Sequence, residues 1–400
     1  MSKVITDKKL IDELLVRGVE KIYPNVEALE KVLRFGKRIR LYCGYDPTAP
    51  SLHIGHAITL RKLAQFQKLG HEVIMLIGDF TALIGDPADK TTARKRLTKQ
   101  QIQNNFRNYK KQASKILKFS GKNPAKIMFN SKWNSKLDTF KLIDLAFNFT
   151  VQQMLARDMF QKRLEKDKPI LLPEFLYPLF QAYDSVAMDV DLEVGGNDQT
   201  FNMLRGRDLM KNLKNKGKFV LTTKLLTDPS GRKMGKTEGN IIRLDEDPKE
   251  IFGQIMAWSD PLIFIGFELC TDLSLDEIDE IKKQKNSPRD DKIRLAREIV
   301  SIHHSKKAAS DAEKEFNRVF KEKKAPSKIS TKKLSVKKIN ILDLLAKTKL
   351  ASSKAEAKRL VMQGGVRIDG EVVKDWKKEI SIKSGMVLQV GKRKFIKFSF

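Results

Sequence analysis

Apolar positions along this chain repeat with two different periods. Residues 39–45 (IRLYCGY) and 72–78 (EVIMLIG) are apolar runs of strand length, and 54–69 (IGHAITLRKLAQFQKL) between them has helical spacing. Residues 190–194 lead through GGND into a helical run over 199–212, and 219–226 reads as a further strand. Strand, turn, helix and strand in that order predict a parallel α/β domain over 1–240, with ligands at the carboxyl ends of the strands. From about residue 246 the strand signal fades. LDEIDEIKKQ (275–284) and DDKIRLAREIVSI (290–302) read as helices with their charges outward, giving an α-helical domain over 241–325. Residues 326–339 are polar and basic, with few large apolar side chains, and read as a linker. The last domain, 340–400, opens with short helical runs at 340–350 and 354–363. Gly364-Gly365 is a helix stop, and Asp369-Gly370 breaks a strand pair.

Composition narrows the class. The 400 residues are 41% hydrophobic, enough for a sizeable core and against a disordered chain. No run of 18 apolar residues predicts a membrane span, and MSKVITDKKLIDELL has no apolar signal core. Cys43 and Cys270 are too few and too far apart for a disulfide framework, so reduced thiols and a cytoplasmic setting are expected. Charge adds a partner. Lys plus Arg number 78 against 49 Asp plus Glu, a net +29, which points to a polyanion such as nucleic acid. Residues 331–400 hold 18 Lys/Arg and 6 Asp/Glu, a net +12.

Two short stretches carry candidate chemistry. Asp46-Pro-Thr-Ala-Pro-Ser-Leu-His53-Ile-Gly55-His56 lies between a strand and a helix. A helix start presents free N–H groups and a partial positive charge, which suits phosphate, and Gly55 leaves room for a ligand ring. Alone, this reads equally well as a capped helix with two polar histidines. Lys233-Met234-Gly235-Lys236-Thr237 is a basic loop whose lysines could neutralise a pyrophosphate leaving group. Alone, it reads as solvated surface. Tyr177, Gln181 and Asp184 stand at i, i+4 and i+7, so one pocket can see all three. No Cys/His cluster has zinc spacing.

In this order and spacing the two motifs resemble those of class I aminoacyl-tRNA synthetases. With YCGYDPTAPSLHIGH, LIGDP, EFLYPLFQAYD, GGNDQ and KMGKT the chain is similar to the bacterial-type tyrosyl-tRNA synthetases, densely over the first 240 residues. SSKAEAKRLVMQGGVRIDG resembles the S4-like RNA-binding module that ends those enzymes. The resemblance implies a Rossmann-like α/β catalytic domain, an anticodon-side helical domain, a small α+β S4-like domain and a homodimer. It implies L-tyrosine, ATP with Mg²⁺ and tRNA(Tyr) as substrates and partners, without zinc or a membrane. Tyr42 and Asp184 match the pair that recognises the tyrosine hydroxyl. Asp86, Tyr177 and Gln181 match residues around the amino-acid ammonium, with Gln199 nearby. His53, His56 and Thr48 match phosphate contacts. Gly44, Asp46, Gly55, Gly196 and Asp198 match positions lining the adenosine and adenylate. Lys90, Arg94, Lys233 and Lys236 match cations that grip pyrophosphate, Lys236 counting among the ATP contacts too. Lys354, Lys358, Arg359 and Arg367 offer a basic face to tRNA. Gly235, GGNDQTFN and Glu193 depart from the commonest pattern, which bears on adenosine contacts more than on the reaction.

Three other readings compete. A tryptophanyl enzyme would leave Asp184 unsatisfied against an indole ring. A noncatalytic RNA-binding relative should lose the HIGH or loop-lysine residues, and this chain keeps both. A small-molecule adenylyltransferase with an HxGH site lacks the pocket helix and the tail.

Overall fold

Strands β1 (Val19–Tyr23), β2 (Arg40–Tyr45), β3 (Glu72–Ile77), β4 (Lys126–Phe129), β5 (Leu192–Gly196) and β6 (Phe219–Thr223) form one sheet in the order β1-β6-β5-β2-β3-β4. The computed structural model describes residues 3–87, 96–228, 241–322, 329–334, 336, 338–391 and 394–399. Strands β2 to β6 pair in parallel, and β1 runs antiparallel against β6. Parallel strands covered on both faces need apolar side chains on both, and Leu41, Tyr42, Cys43 and Val73 to Ile77 are all buried. The chain runs from β2 outward to β3 and β4, then returns to β5 and runs the other way to β6. The reversal between β2 and β5 is a topological switch point, and a crevice opens at the carboxyl ends there.

Three helices frame that crevice. Helix α1 (Ile54–Lys68) crosses from β2 to β3 and buries Ala57, Leu60, Leu63 and Phe66. Helix α2 (Leu172–Met188) leads into β5, and α3 (Thr200–Lys214) crosses from β5 to β6. The expected strands at 39–45, 72–78 and 219–226 and helices at 54–69 and 199–212 all form. Helices α4 (Pro248–Met256), α5 (Leu262–Cys270), α6 (Leu275–Lys283) and α7 (Pro288–His303) follow, and they belong to the same compact unit, Met1–Ala309. Arg17 donates to the carbonyls of Glu268 (3.0 Å) and Thr271 (2.8 Å), and Lys224 pairs with Glu268 at 2.9 Å. These contacts fix α5 to the sheet's edge.

Two buried histidines in this unit set an acid limit. Burial pushes His71 down to about 4, aided by Arg38, and His303 to about 3, aided by Arg61. The folded chain keeps both neutral where the unfolded chain would protonate them. Their contribution is intact above about pH 6.5 and is lost as pH falls toward 4, at up to ~1.4 kcal/mol per pH unit for each ring. We expect the urea midpoint to drop over that window, and His303→Gln to flatten the drop. Parallel pH curves for the two proteins would contradict this.

The second unit, Ser310–Phe400, folds around its own core. Strands β7 (Ser330–Lys333), β8 (Lys338–Asn340), β9 (Val366–Ile368), β10 (Glu371–Val372), β11 (Glu379–Ser381), β12 (Val387–Val390) and β13 (Lys394–Ser399) make a sheet in the order β10-β9-β12-β13-β7 and a β8–β11 pair. Helices α8 (Ile341–Lys347) and α9 (Lys354–Met362) bury Leu344, Leu345, Ala357 and Val361 against Val366, Leu388 and Phe398. Asp369 (φ 50°) and Gly370 (φ 90°) both take positive φ, as a two-residue hairpin turn between β9 and β10 requires. The segment read as a linker, 326–339, is corrected here: it supplies β7, parallel to β13, and most of β8. Its lysines hid the strand, because an edge strand needs no alternating apolar face and charge there discourages further pairing.

Candidate active site

The site is built where β2, β3 and β5 end. His53 is the residue before α1, and its ring stacks on that of His56 at 3.7 Å. His56 Nδ1 accepts the His53 backbone N–H (3.2 Å), so the neutral ring carries its proton on Nε2, free to donate. Burial pushes His53 down to about 4 and His56 well below the usual histidine range. Both rings are neutral at pH 7. A Cβ on Gly55 would stand 3.0 Å from the His53 ring, so glycine lets the histidine lie over the helix start. The chain beyond 240 returns to this point. Ile54 N–H donates to Ile242 O, and Leu244 N–H to Leu52 O, both at 2.9 Å.

Behind the helix start runs a chain of polar contacts. Asp46, just past β2, accepts Tyr177 Oη–H on Oδ2 (3.0 Å) and Thr81 Oγ1–H on Oδ1 (2.7 Å). Asn130 Nδ2 donates to both Thr81 Oγ1 (3.0 Å) and Asp184 Oδ2 (3.1 Å). Asp184 Oδ1 also accepts from Trp133 Nε1 (2.7 Å) and Asn134 Nδ2 (2.9 Å). Asp184 is 2% exposed, and burial pushes its carboxyl up to about 8 against the pull of these three donors. In its ionised form the carboxylate has about four acceptor positions, so the three donors leave one open. Tyr42 is buried on β2, with Oη 2.9 Å from Ser185 Oγ, and Asp184 bears electrostatically on it.

The remaining expected residues divide between the same crevice and elsewhere. Asp86 accepts Gln199 Nε2–H (2.7 Å), with the Arg157 guanidinium at 3.9 Å. Gln181 Nε2 donates to Glu193 Oε1 (3.2 Å). Gly44 is exposed with open space over its Cα, and Thr48 is exposed beside Asp46. A Cβ on Gly196 would meet Asp198 Oδ1 at 2.5 Å. Lys90, Arg94, Lys233 and Lys236 lie outside the described residues. In the second unit Lys354, Lys358, Arg359 and Arg367 are all exposed. Lys354 pairs with Asp343 (2.6 Å), Lys358 sits 4.2 Å over the Trp376 ring, and Arg367 donates to Gly370 O (3.0 Å).

Sequence reasoning missed Asn130, Trp133, Asn134, Ser185, Arg157 and Lys218. The first three form a polar run directly after β4, at a carboxyl end, and that position was the available signal. Among the described residues no three His, Cys, Asp or Glu side chains gather as a metal site.

The family described as tRNA synthetases class I (W and Y) matches residues 34–321, and the S4 domain family matches 340–384. A tyrosine–tRNA ligase of Moorella thermoacetica is 42% identical over 96% of this chain and 94% of its own. One from Thermotoga maritima is 42% identical over 97% and 96%. The solved C-terminally truncated mitochondrial tyrosyl-tRNA synthetase of Aspergillus nidulans superposes with a TM-score of 0.67 at 26% identity, covering 78% of this chain and 95% of that one.

Proposed function

The chain belongs to the class I tRNA synthetases of the tryptophan and tyrosine group and ends in an S4 domain, and from that premise we propose that it activates L-tyrosine with ATP and transfers the tyrosyl group to tRNA(Tyr). One observation carries the choice of tyrosine. Asp184 is buried, meets three donors, which leaves its ionised form one acceptor position, and bears electrostatically on Tyr42. A phenol O–H satisfies that position, whereas a phenyl ring leaves it unpaired at about 1–3 kcal/mol. The amino-acid carboxylate is the nucleophile toward the α-phosphate, so the protein's task is to position two substrates and stabilise the departing pyrophosphate.

In this reading the neutral His53 and His56 donate to phosphate oxygens at the helix start, with Thr48 beside them. Gly44, Asp46, Gly55, Gly196 and Asp198 line the adenylate. Asp86, Tyr177 and Gln181, with Gln199, surround the ammonium. Lys90, Arg94, Lys233 and Lys236 grip the pyrophosphate. No protein cage for Mg²⁺ is proposed, and the ion would arrive on the ATP phosphates with its own water. Lys354, Lys358, Arg359 and Arg367 contact the tRNA backbone.

A cytoplasmic homodimer completes the reading. Phe140 (81% exposed), Phe147 (85%), Val151 and Leu172 are exposed large apolar side chains, and a second copy would cover them. Pyrophosphate exchange across all twenty amino acids tests the function. Exchange should depend on tyrosine alone, in a species of twice the 45.8 kDa chain mass. Exchange driven by tryptophan, or by no amino acid, would refute the assignment.

A further inference from the structure

A charged pair lies buried behind the pocket helix. Lys218, at the start of β6, is fully buried and contacts Glu193 Oε2, itself on β5 and 2% exposed. The same ammonium donates to Ser185 Oγ (2.9 Å). Helix α3 makes room for it, since a Cβ on Gly206 would stand 2.6 Å from Lys218 Nζ and 2.9 Å from Ser185 Oγ. Burying two charges is costly, and replacing such a pair by apolar side chains is often neutral for stability. The pair's geometry offers a reason for its presence in function.

Glu193 Oε1 points the other way and meets the Gln181 side-chain amide at 3.2 Å. An ionised carboxylate only accepts hydrogen bonds, and the other oxygen of Glu193 meets the Lys218 ammonium. The Gln181 edge facing it must therefore be the NH₂, and the amide oxygen must face away. Gln181 Oε1 is buried and has no partner. A glutamine at 193 could donate or accept, and would leave the amide free to turn over.

We propose that Glu193, paired with Lys218, is a positioning residue that locks the Gln181 amide with its oxygen toward the amino-acid ammonium. The inference rests on the tyrosine reading above. It assigns Glu193 a part in binding the ammonium end of the substrate. An ammonium supplies the donor that Gln181 Oε1 lacks, and a hydrogen bond to a charged group is worth about tenfold or more in affinity.

Two fragments of tyrosine separate the ends. Tyramine keeps the ammonium and lacks the carboxylate, and 3-(4-hydroxyphenyl)propionate keeps the carboxylate and lacks the ammonium. Both are measured as inhibitors of tyrosine-dependent pyrophosphate exchange, with full-length wild type and Glu193→Gln/Lys218→Met, which removes both charges together. Expected are about tenfold weaker tyramine binding, a similar rise in KM for tyrosine with kcat within about twofold, and unchanged binding of the propionate. Glu193→Gln alone should shift tyramine in the same direction, and it stands in if the double variant does not fold. Equal losses for both fragments would overturn the proposal, because a packing defect disturbs the whole pocket. No loss for either would overturn it too. A wild type that neither exchanges with tyrosine nor binds either fragment would instead refute the tyrosine reading, and the inference with it.

Discussion

Asp184→Ala is expected to lower kcat/KM for tyrosine by about 10- to 10²-fold, the value of a buried hydrogen bond to a charged group. The preference over phenylalanine should collapse in the same variant. A site built around a substrate hydroxyl rejects the analogue lacking it by about 10⁴–10⁵, a range for which tyrosyl-tRNA synthetases themselves are the reference case. The structure identifies what else changes. Trp133 Nε1–H, Asn134 Nδ2–H and one Asn130 hydrogen lose their acceptor together. Asn130 also reaches Thr81, and through it Asp46 and Tyr177, so the loss propagates toward the expected ammonium end. Asp184→Asn keeps one acceptor oxygen and the side-chain volume, and it should fall between alanine and wild type. Steady-state exchange with tyrosine and with phenylalanine measures both effects. Unchanged selectivity in Asp184→Ala would remove the carboxylate from the specificity site.

Ending the chain at Phe320 should leave tyrosyl-adenylate formation within about twofold while tRNA charging falls by about 10²-fold or more. Every described residue assigned above to small-molecule chemistry lies in the unit Met1–Ala309. The second unit has its own apolar core, made of residues separate from the first unit's cluster around Leu41, Leu60 and Val73. What is lost is the exposed basic set of α9 and β9 in a stretch of net +12 over 331–400. Phosphate contacts weaken steeply with salt, so the full-length protein's charging should decline across a salt series. Equal charging by both proteins at ~0.15 M salt would assign the tail another task.

The parts legible in the sequence were those written by short-range rules. Strands β2 and β3 are near-continuous apolar runs, α1 and α3 have helical spacing, and Asp369-Gly370 is a turn dipeptide. Strand β1 escaped notice because VEKIY has charges at two of five places and pairs at a sheet edge. Strand β7 escaped for the same reason. Resemblance located Tyr42, Asp46 and Asp184, yet it left out the groups that hold them. Asn130 and Asp184 are 54 residues apart, and Glu193 on β5 and Lys218 just before β6 are 25 apart. No local pattern joins such residues, because the sheet brings them together. A glutamate inside the buried run LEVGG was the one visible sign that a cation had to lie nearby.

The antiparallel contact between Leu52–Ile54 and Ile242–Leu244 has a further consequence for how this chain can vary. The two signature motifs are separated by ~180 residues of sequence, but the backbone at 242–244 is moored to the first turn of α1 by two hydrogen bonds of 2.9 Å. Thread length and working distance are thereby uncoupled. Connecting loops between the core elements can lengthen or shorten without altering where the chain comes back to His53, as loop insertions elsewhere in proteins are tolerated at small entropic cost. A change as slight as proline at Ile54 or Leu244 would remove a mooring N–H and loosen the return of the chain at 242–244, though both side chains are buried.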